Sequence, residues 1–202
     1  MTEARVGRLV PACLHQAIQD ALPLRLDFYE HWLNSEGLHD GSIGLAPLTA
    51  VLGFLRTEGD AYNHVVERAG TLAAEWTVAS MSPFQRRVVA ALPRPLRVRA
   101  ALRQACDIVR QVSSLSQAKR RVRRGHAYLE VQSSFFCSVR EKQRAPLCNF
   151  YAAAAAETLR AFGVSAKGRA ERCRAVEGTT CSMTIDIGDR ADGPASAERA
   201  AS

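Results

Sequence analysis

Six side chains carry the reactive chemistry of this sequence: Cys13, Cys106, Cys137, Cys148, Cys173 and Cys181. A thiolate can act as a nucleophile, a metal ligand or half of a disulfide, and its surroundings decide which. Cys13 and Cys106 fall on apolar stripes of helical period and read as small buried side chains. The other four gather in the second half. Cys173 and Cys181 flank "VEGTT", a turn signal, and opposite strands of a hairpin hold facing residues within about 5 Å. Cys148 opens an alanine-rich helix, where free N–H groups and the helix dipole favour a thiolate. Cys137 closes a strand-like segment. Four thiolates from a strand end, a helix start and a hairpin suit a tetrahedral zinc site, and the same ligands also suit an iron–sulfur cluster. The intervals are unlike paired C-x-x-C knuckles, so spacing alone leaves buried free thiols as the alternative.

Other titratable residues give weaker signals. Glu130, Glu141, Glu157 and Glu171 have no second carboxylate at a helical spacing and read as surface charge. His126 precedes a strand, where it serves as a surface or capping residue, a substitute ligand, or an axial contact to a tetrapyrrole metal. His64 sits at a helix edge beside Val65 and Val66. The aromatic residues Trp32, Trp76, Phe135, Phe136, Phe150 and Tyr151 include candidates for lining a pocket, with Trp76, Phe135, Phe136, Phe150 and Tyr151 nearest the cysteine-bearing elements or on the long helix before them. No G-x-G-x-x-G fingerprint, Walker loop or serine nucleophile elbow occurs, which argues against a self-contained reductase.

The elements that must position these groups change character along the chain. The first half is helical. Val6, Leu9, Val10, Cys13, Leu14, Ala17 and Ile18 form one stripe of period 3.6 ended by Pro23. A short aromatic helix around Phe28 and Trp32 follows, then the loop "HDGSIG", a helix led by Pro47, and another carrying Tyr62 to Trp76 beyond Gly59-Asp60. Ser82-Pro83 is an N-cap signature, and a further helix runs from about Pro95 to Leu115. After Gly125 the pattern is mixed. "HAYLEVQ" alternates as a strand, Pro146 to Phe162 is helical with Gly163 as C-cap, and Arg169–Ala175 with Cys181–Ile187 form a hairpin. The expected organisation is a helical part over 1–124, a cysteine-bearing core over 125–188 and a small polar, disordered tail over 189–202.

The run "SSFFCSVREKQRAPLCNFYAAAAAETLRAF…ERCRAVEGTTCSMTIDI" resembles the 4-vinyl reductase domain superfamily. It is most similar to members from bacteriochlorophyll synthesis. The resemblance covers roughly residues 125 to 187. It places Cys137, Cys148, Cys173 and Cys181 on the family's four cysteine positions, Glu171 on its acidic position and Gly178 on its turn. Glycines common in the family helix are alanines here, Ala152 to Ala156, which stiffens the helix and implies less close packing. The resemblance implies an α+β domain, N-terminal helices followed by an antiparallel sheet with a packed helix and a C-terminal hairpin, the NO-signalling/Golgi-transport-like ligand-binding fold. It also implies a homodimer, zinc on the four cysteines, and a small apolar or tetrapyrrole ligand between helices and sheet.

Composition limits the remaining classes. The chain is 47% hydrophobic and 23% charged, which fits a globular domain and excludes fibrous and wholly disordered classes. Its net charge of +7 is concentrated. Arg86, Arg87, Arg94, Arg97, Arg99, Arg103 and Arg110 precede the run "KRRVRRG", and from Ser82 to Gly125 only Asp107 opposes them. Such a segment is a solvated face or linker, or a contact for an anionic partner or partner protein. The absence of a helix-turn-helix or interleaved aromatics argues against nucleic acid. No leader core or membrane-spanning run is visible, so a cytoplasmic protein with reduced thiols is expected. The expected function is a small-molecule-binding module with a four-cysteine metal site in bacteriochlorophyll synthesis. The alternatives are an enzyme or enzyme subunit reducing a chlorophyll-precursor vinyl group, and a ligand-responsive regulatory protein.

Overall fold

A computed structural model describes residues 5–33, 43–113, 115–123, 125–139 and 141–188. In chain order the elements are β1 (Arg5–Val6), α1 (Leu9–Ala21), a 3₁₀ turn (Pro23–Arg25), α2 (Leu26–Leu33), β2 (Ile43–Gly44), α3 (Leu45–Thr57), α4 (Ala61–Ser80), α5 (Pro83–Ala91) and α6 (Arg94–Val112). Then follow β3 (Gln117–Arg123), β4 (His126–Gln132), a second 3₁₀ turn (Phe135–Cys137), α7 (Asn149–Ala161), β5 (Ala166–Arg172) and β6 (Cys181–Ile187). The expected tail at 189–202 lies outside the described residues, as do Arg124 and most of "HDGSIG".

The helical half forms as its stripes dictate. On α1, Val10, Cys13, Leu14, Ala17 and Ile18 are all fully buried, the spacing of one helical face. Val6 is an exception to the expected stripe: it lies in β1, paired with Ile43, and it is equally buried. Ser82 caps α5 through a complete capping box, accepting from the Gln85 N–H while the Gln85 side chain accepts from the Ser82 N–H.

The four-stranded sheet is antiparallel throughout, in the order β3-β4-β6-β5. Alternation on β4 turns Ala127, Leu129 and Val131 inward. Helix α7 lies in the middle of the molecule, packed on α4 along one side, on α6, and on β5 of the sheet.

Two expectations are corrected. The basic run is no linker: Lys119 to Arg123 belongs to β3, paired residue by residue with β4 from Gln117↔Gln132 to Arg123↔His126. The sheet therefore starts ahead of the expected division at 124/125. The long helix before it stops at Val112 rather than Leu115, because Ser113 is already extended and bridges to Val6.

The alanines of α7 do not loosen its packing. Close approach comes from glycines on the elements facing it. A Cβ on Gly70 of α4 would lie 2.2 Å from the Phe150 carbonyl oxygen, and one on Gly168 of β5 would lie 2.3 Å from that of Ala152. Two backbones thus touch α7 from opposite sides, and Ala152, Ala154, Ala155 and Ala156 are buried between them.

Candidate functional site

The four second-half cysteines converge. Their Sγ atoms lie within 4.8 Å of one another, and all four residues are buried. Each is delivered by a different device. The 3₁₀ turn after β4 brings Cys137, and the N-cap of α7 brings Cys148. Cys173 follows an irregularity in β5 between Ala170 and Arg172, and Cys181 starts β6 opposite Val131. The hairpin tip closes on itself as the Val176 and Glu177 N–H groups donate to the Cys173 carbonyl, with Gly178 at φ +87° completing the turn.

Sulfur contacts are short: Cys137 Sγ is 3.2 Å from Cys173 Sγ and 3.4 Å from Cys181 Sγ. Backbone N–H groups aim at the cluster, from Leu147 to Cys173 Sγ at 3.3 Å and from Arg174 to Cys181 Sγ at 3.5 Å. Sulfur-directed N–H groups stabilise thiolate and orient it as a ligand. The thiols split accordingly. Cys173 and Cys181 are lowered, first by hydrogen bonds from Cys137, then from Cys148, with the Leu147 and Arg174 amides adding to this. Cys148 is pushed up, first by its bond toward Cys137 and then by those toward Cys173 and Cys181 and by burial. Cys137 gains a lowering contact from Cys148, outweighed by its bonds to Cys173 and Cys181 and by burial. Four buried sulfurs within 4.8 Å of one another, two of them receiving backbone N–H groups, form a donor set that a cation would neutralise.

By contrast, Cys13 and Cys106 are solitary buried thiols on α1 and α6, as their stripes predict. Burial, with Glu75 adding to it, pushes Cys13 up to about 12, which leaves it unreactive.

Two residues at this site carry no sequence signal. Arg56, ending α3, donates to the Phe136 carbonyl at 3.0 Å and lies 6.0 Å from the Tyr62 ring centroid. Tyr62 donates to the Leu147 carbonyl at 2.9 Å. Together they tie the helical half to the residues just before Cys137 and Cys148, and Arg56 brings positive charge near a group of sulfurs. They border an open cleft of about 730 Å³ that also includes Gln143, Pro146 and Leu147. Only the fold joins Arg56 to a carbonyl 80 residues away.

An aromatic cluster stands behind the cysteines. The Phe136 and Phe150 rings stack at 4.9 Å, Phe135 lies 4.2 Å from Phe136, and Tyr151 meets both Phe136 and Phe150 edge-on at 5.5 Å. All four are buried. Tyr151 Oη and Ser134 Oγ are also buried, and neither has a hydrogen-bond partner among the described residues. Ser134 and Ser116 are the polar neighbours of the phenol but miss hydrogen-bond geometry, and burial raises the Tyr151 pKa. Trp76 is not part of this group. It lies on α4, 38% exposed, 14 residues beyond Tyr62 and so about 21 Å along the helix.

The remaining candidates lie away from the cluster. His126 is on the outer sheet face, bonded to Asp186 Oδ1 at 2.8 Å. Glu171 pairs with Arg169 at 3.4 Å, and Glu157 with Arg160 at 2.6 Å. His64, Glu130 and Glu141 are exposed, and Trp32 contacts Phe54 at 5.5 Å on the surface.

No family model matches the chain, and no curated protein matches it. Solved structures do. An unliganded Fe(II) H-NOX protein from K. algicida is 14% identical, covers 91% of this chain and 97% of its own, and superposes with a TM-score of 0.59. The H-NOX domain from Shewanella oneidensis in its Fe(II)CO ligation state is 10% identical, with 91% and 99% covered and a TM-score of 0.58. The class these likenesses define is the α+β, NO-signalling/Golgi-transport-like fold, and the chain has it over nearly its whole length. Also similar is the phenol-responsive sensory domain of the transcription activator PoxR, solved with phenol: 13% identical, 72% and 75% covered, TM-score 0.51.

Proposed function

We propose that the chain is a small-molecule-binding module in which zinc, held by Cys137, Cys148, Cys173 and Cys181, fixes one wall of an aromatic pocket. The observation that carries this reading is the pair of buried, unpartnered hydroxyls, Tyr151 Oη and Ser134 Oγ, among stacked rings beside the cysteines. A buried hydroxyl without a partner costs about 1–3 kcal/mol. A ligand with one polar function and an apolar body would recover that cost, and such a molecule suits a mainly apolar pocket. The PoxR domain, solved with phenol, has a similar fold.

The donor set fits zinc. Four buried thiolates make a closed tetrahedral site with no open position, which suits a structural ion that locks strand, helix and hairpin together. Elemental analysis with an absorption spectrum separates the two metals, since an iron–sulfur cluster is coloured and zinc–thiolate is not.

A second reading, a tetrapyrrole of bacteriochlorophyll synthesis, follows from the resemblance of residues 125 to 187. A separate observation favours it. An open groove of about 540 Å³ runs beside α7, with small residues (Ala152, Ala153 and Gly168) in its lining together with Glu67, Lys167 and the ion-paired Arg160 and Arg169. Small lining residues beside a lysine suit a macrocycle bearing carboxylates. Fluorescence titration with phenol and with a chlorophyll precursor tests both readings. Phenol binding lost in Tyr151→Phe supports the aromatic pocket. Precursor binding lost in Lys167→Glu supports the groove, and vinyl reduction on adding reduced nicotinamide makes the chain an enzyme. Binding of neither overturns both. The reading includes a homodimer, which the mass in solution checks.

A further inference from the structure

Helix α5 is built the wrong way round for a helix of a globular body. None of its nine residues is buried. Val89 packs against the core, whereas Phe84, about 140° around the helix from it, is 74% exposed, and Val88 is 45% exposed. Phe84 and Val88 stand at i and i+4, so they form one outward apolar strip. Arg87 lies beside that strip, whereas Arg86 falls about 180° around the helix from it, and among the described residues the Arg87 guanidinium forms no ion pair or hydrogen bond. The pattern continues into the first turns of α6, where Leu96 is 46% exposed and Arg99 is exposed. No acidic residue occurs between Ser82 and Cys106.

We propose that α5 and the start of α6 form a docking face for an anionic lipid surface, with Phe84 and Val88 entering the headgroup boundary while Arg87 meets lipid phosphates. This goes beyond the ligand-binding reading and does not depend on it. Charge and shape select the occupant. A second copy docking here through a two-fold axis would set the arginines against their own counterparts. A protein partner needs about 800 Å² per side and a complementary hollow, but α5 is a convex rod about 14 Å long that meets the body mainly through α6. A soft, negatively charged surface accepts a protruding aromatic with flanking arginines, the arrangement of interfacial helices. Among the described residues no helix is long and apolar enough to cross a membrane, so the attachment is peripheral.

Co-sedimentation of the full chain with vesicles tests this. The chain is expected to pellet with phosphatidylcholine vesicles containing phosphatidylserine, to stay in solution with phosphatidylcholine alone, and to be released by salt. Arg87→Gln should weaken binding about fivefold, and Phe84→Ser should weaken it at least as much. Because α5 buries nothing, both variants should keep the wild-type melting curve and ligand titrations. Absent binding to phosphatidylserine vesicles, or variants that bind them like wild type, overturns the proposal. So does a face that responds only to protein, seen as a concentration-dependent mass or an acidic-peptide affinity that Phe84→Ser abolishes while lipid binding is absent.

Discussion

Substituting Gly168 by alanine should strike stability and metal binding together. Gly168 lies in β5 under the first turn of α7, and its backbone is in ordinary β space, so only the contact matters. The new Cβ would lie 2.3 Å from the Ala152 carbonyl oxygen and 2.9 Å from its carbon. Carbon–oxygen contacts of this type settle near 3.3 Å, so strand and helix must part by roughly 1 Å. The helix has no room to retreat, because Gly70 already holds the Phe150 carbonyl from the other side. Overpacking of this kind costs about 1–3 kcal/mol, against about 0.5–1 kcal/mol gained by replacing glycine within a strand. The net expectation is a loss of about 1–2 kcal/mol. Ala152 is one turn from Cys148, and a zinc–sulfur bond of about 2.3 Å tolerates only about 0.2 Å of error, so zinc retention should fall at least tenfold. Urea unfolding of the loaded protein and competition with a chromophoric chelator read the two effects. Gly53→Ala on α3, where a Cβ meets nothing within 4 Å, is the control and should stabilise by up to about 1 kcal/mol. A Gly168→Ala variant with wild-type stability and zinc affinity refutes the claim that α7 is clamped and that its position sets the site.

On the proposed zinc site, Cys173→Ser should lose stoichiometric zinc by elemental analysis and several kcal/mol of stability by urea titration, since the binding energy of a metal held there would be folding energy; a variant equal to wild type in both overturns the proposed site. Tyr151→Phe deletes an unpartnered buried hydroxyl, so the ligand-free protein should gain about 1–3 kcal/mol in thermal and urea unfolding, and a loss would reveal a partner. Hydrogen bonds from Gln16 and Arg68 hold the Asp20 carboxyl below its usual range. Its contribution is therefore full above the unfolded carboxyl value near 4 and lost as pH falls through the lower folded value. For so exposed a pair Arg68→Gln should cost under about 1 kcal/mol at pH 7, a difference that vanishes in acid unfolding curves.

The helical stripes, the N-cap at Ser82, the alternation of β4 and the pairing of the last two strands were legible as local patterns, although the strand expected at Arg169–Ala175 runs from Ala166 to Arg172 and leaves Cys173 just beyond it. The convergence of four cysteines was legible only as a possibility. Spacing cannot say that a 3₁₀ turn, a helix start and two strand ends meet. β3 was hidden because its residues are nearly all exposed and four of the seven are charged; it is held by its ladder to β4, an interaction no window of sequence contains. Arg56 and Tyr62 were hidden for the same reason, since the carbonyls they grip lie 80 and 85 residues away. Trp76 shows the opposite error: a large aromatic on an apolar helix invites a pocket role, but its position along α4 carries it away from the site.

The basic run has a consequence for how copies of the chain avoid one another. β3 and β5 are the outermost strands of the sheet, and an outermost strand offers a template on which another chain can polymerise. One margin carries Lys119, Arg120, Arg121 and Arg123, and the other carries Lys167, Arg169 and Arg172 against the single carboxylate of Glu171, a net positive charge on both. Each margin repels its like and the other as well, so lateral growth into fibrils meets positive charge in every pairing. Replacing these cations by neutral residues would leave a folded molecule that precipitates.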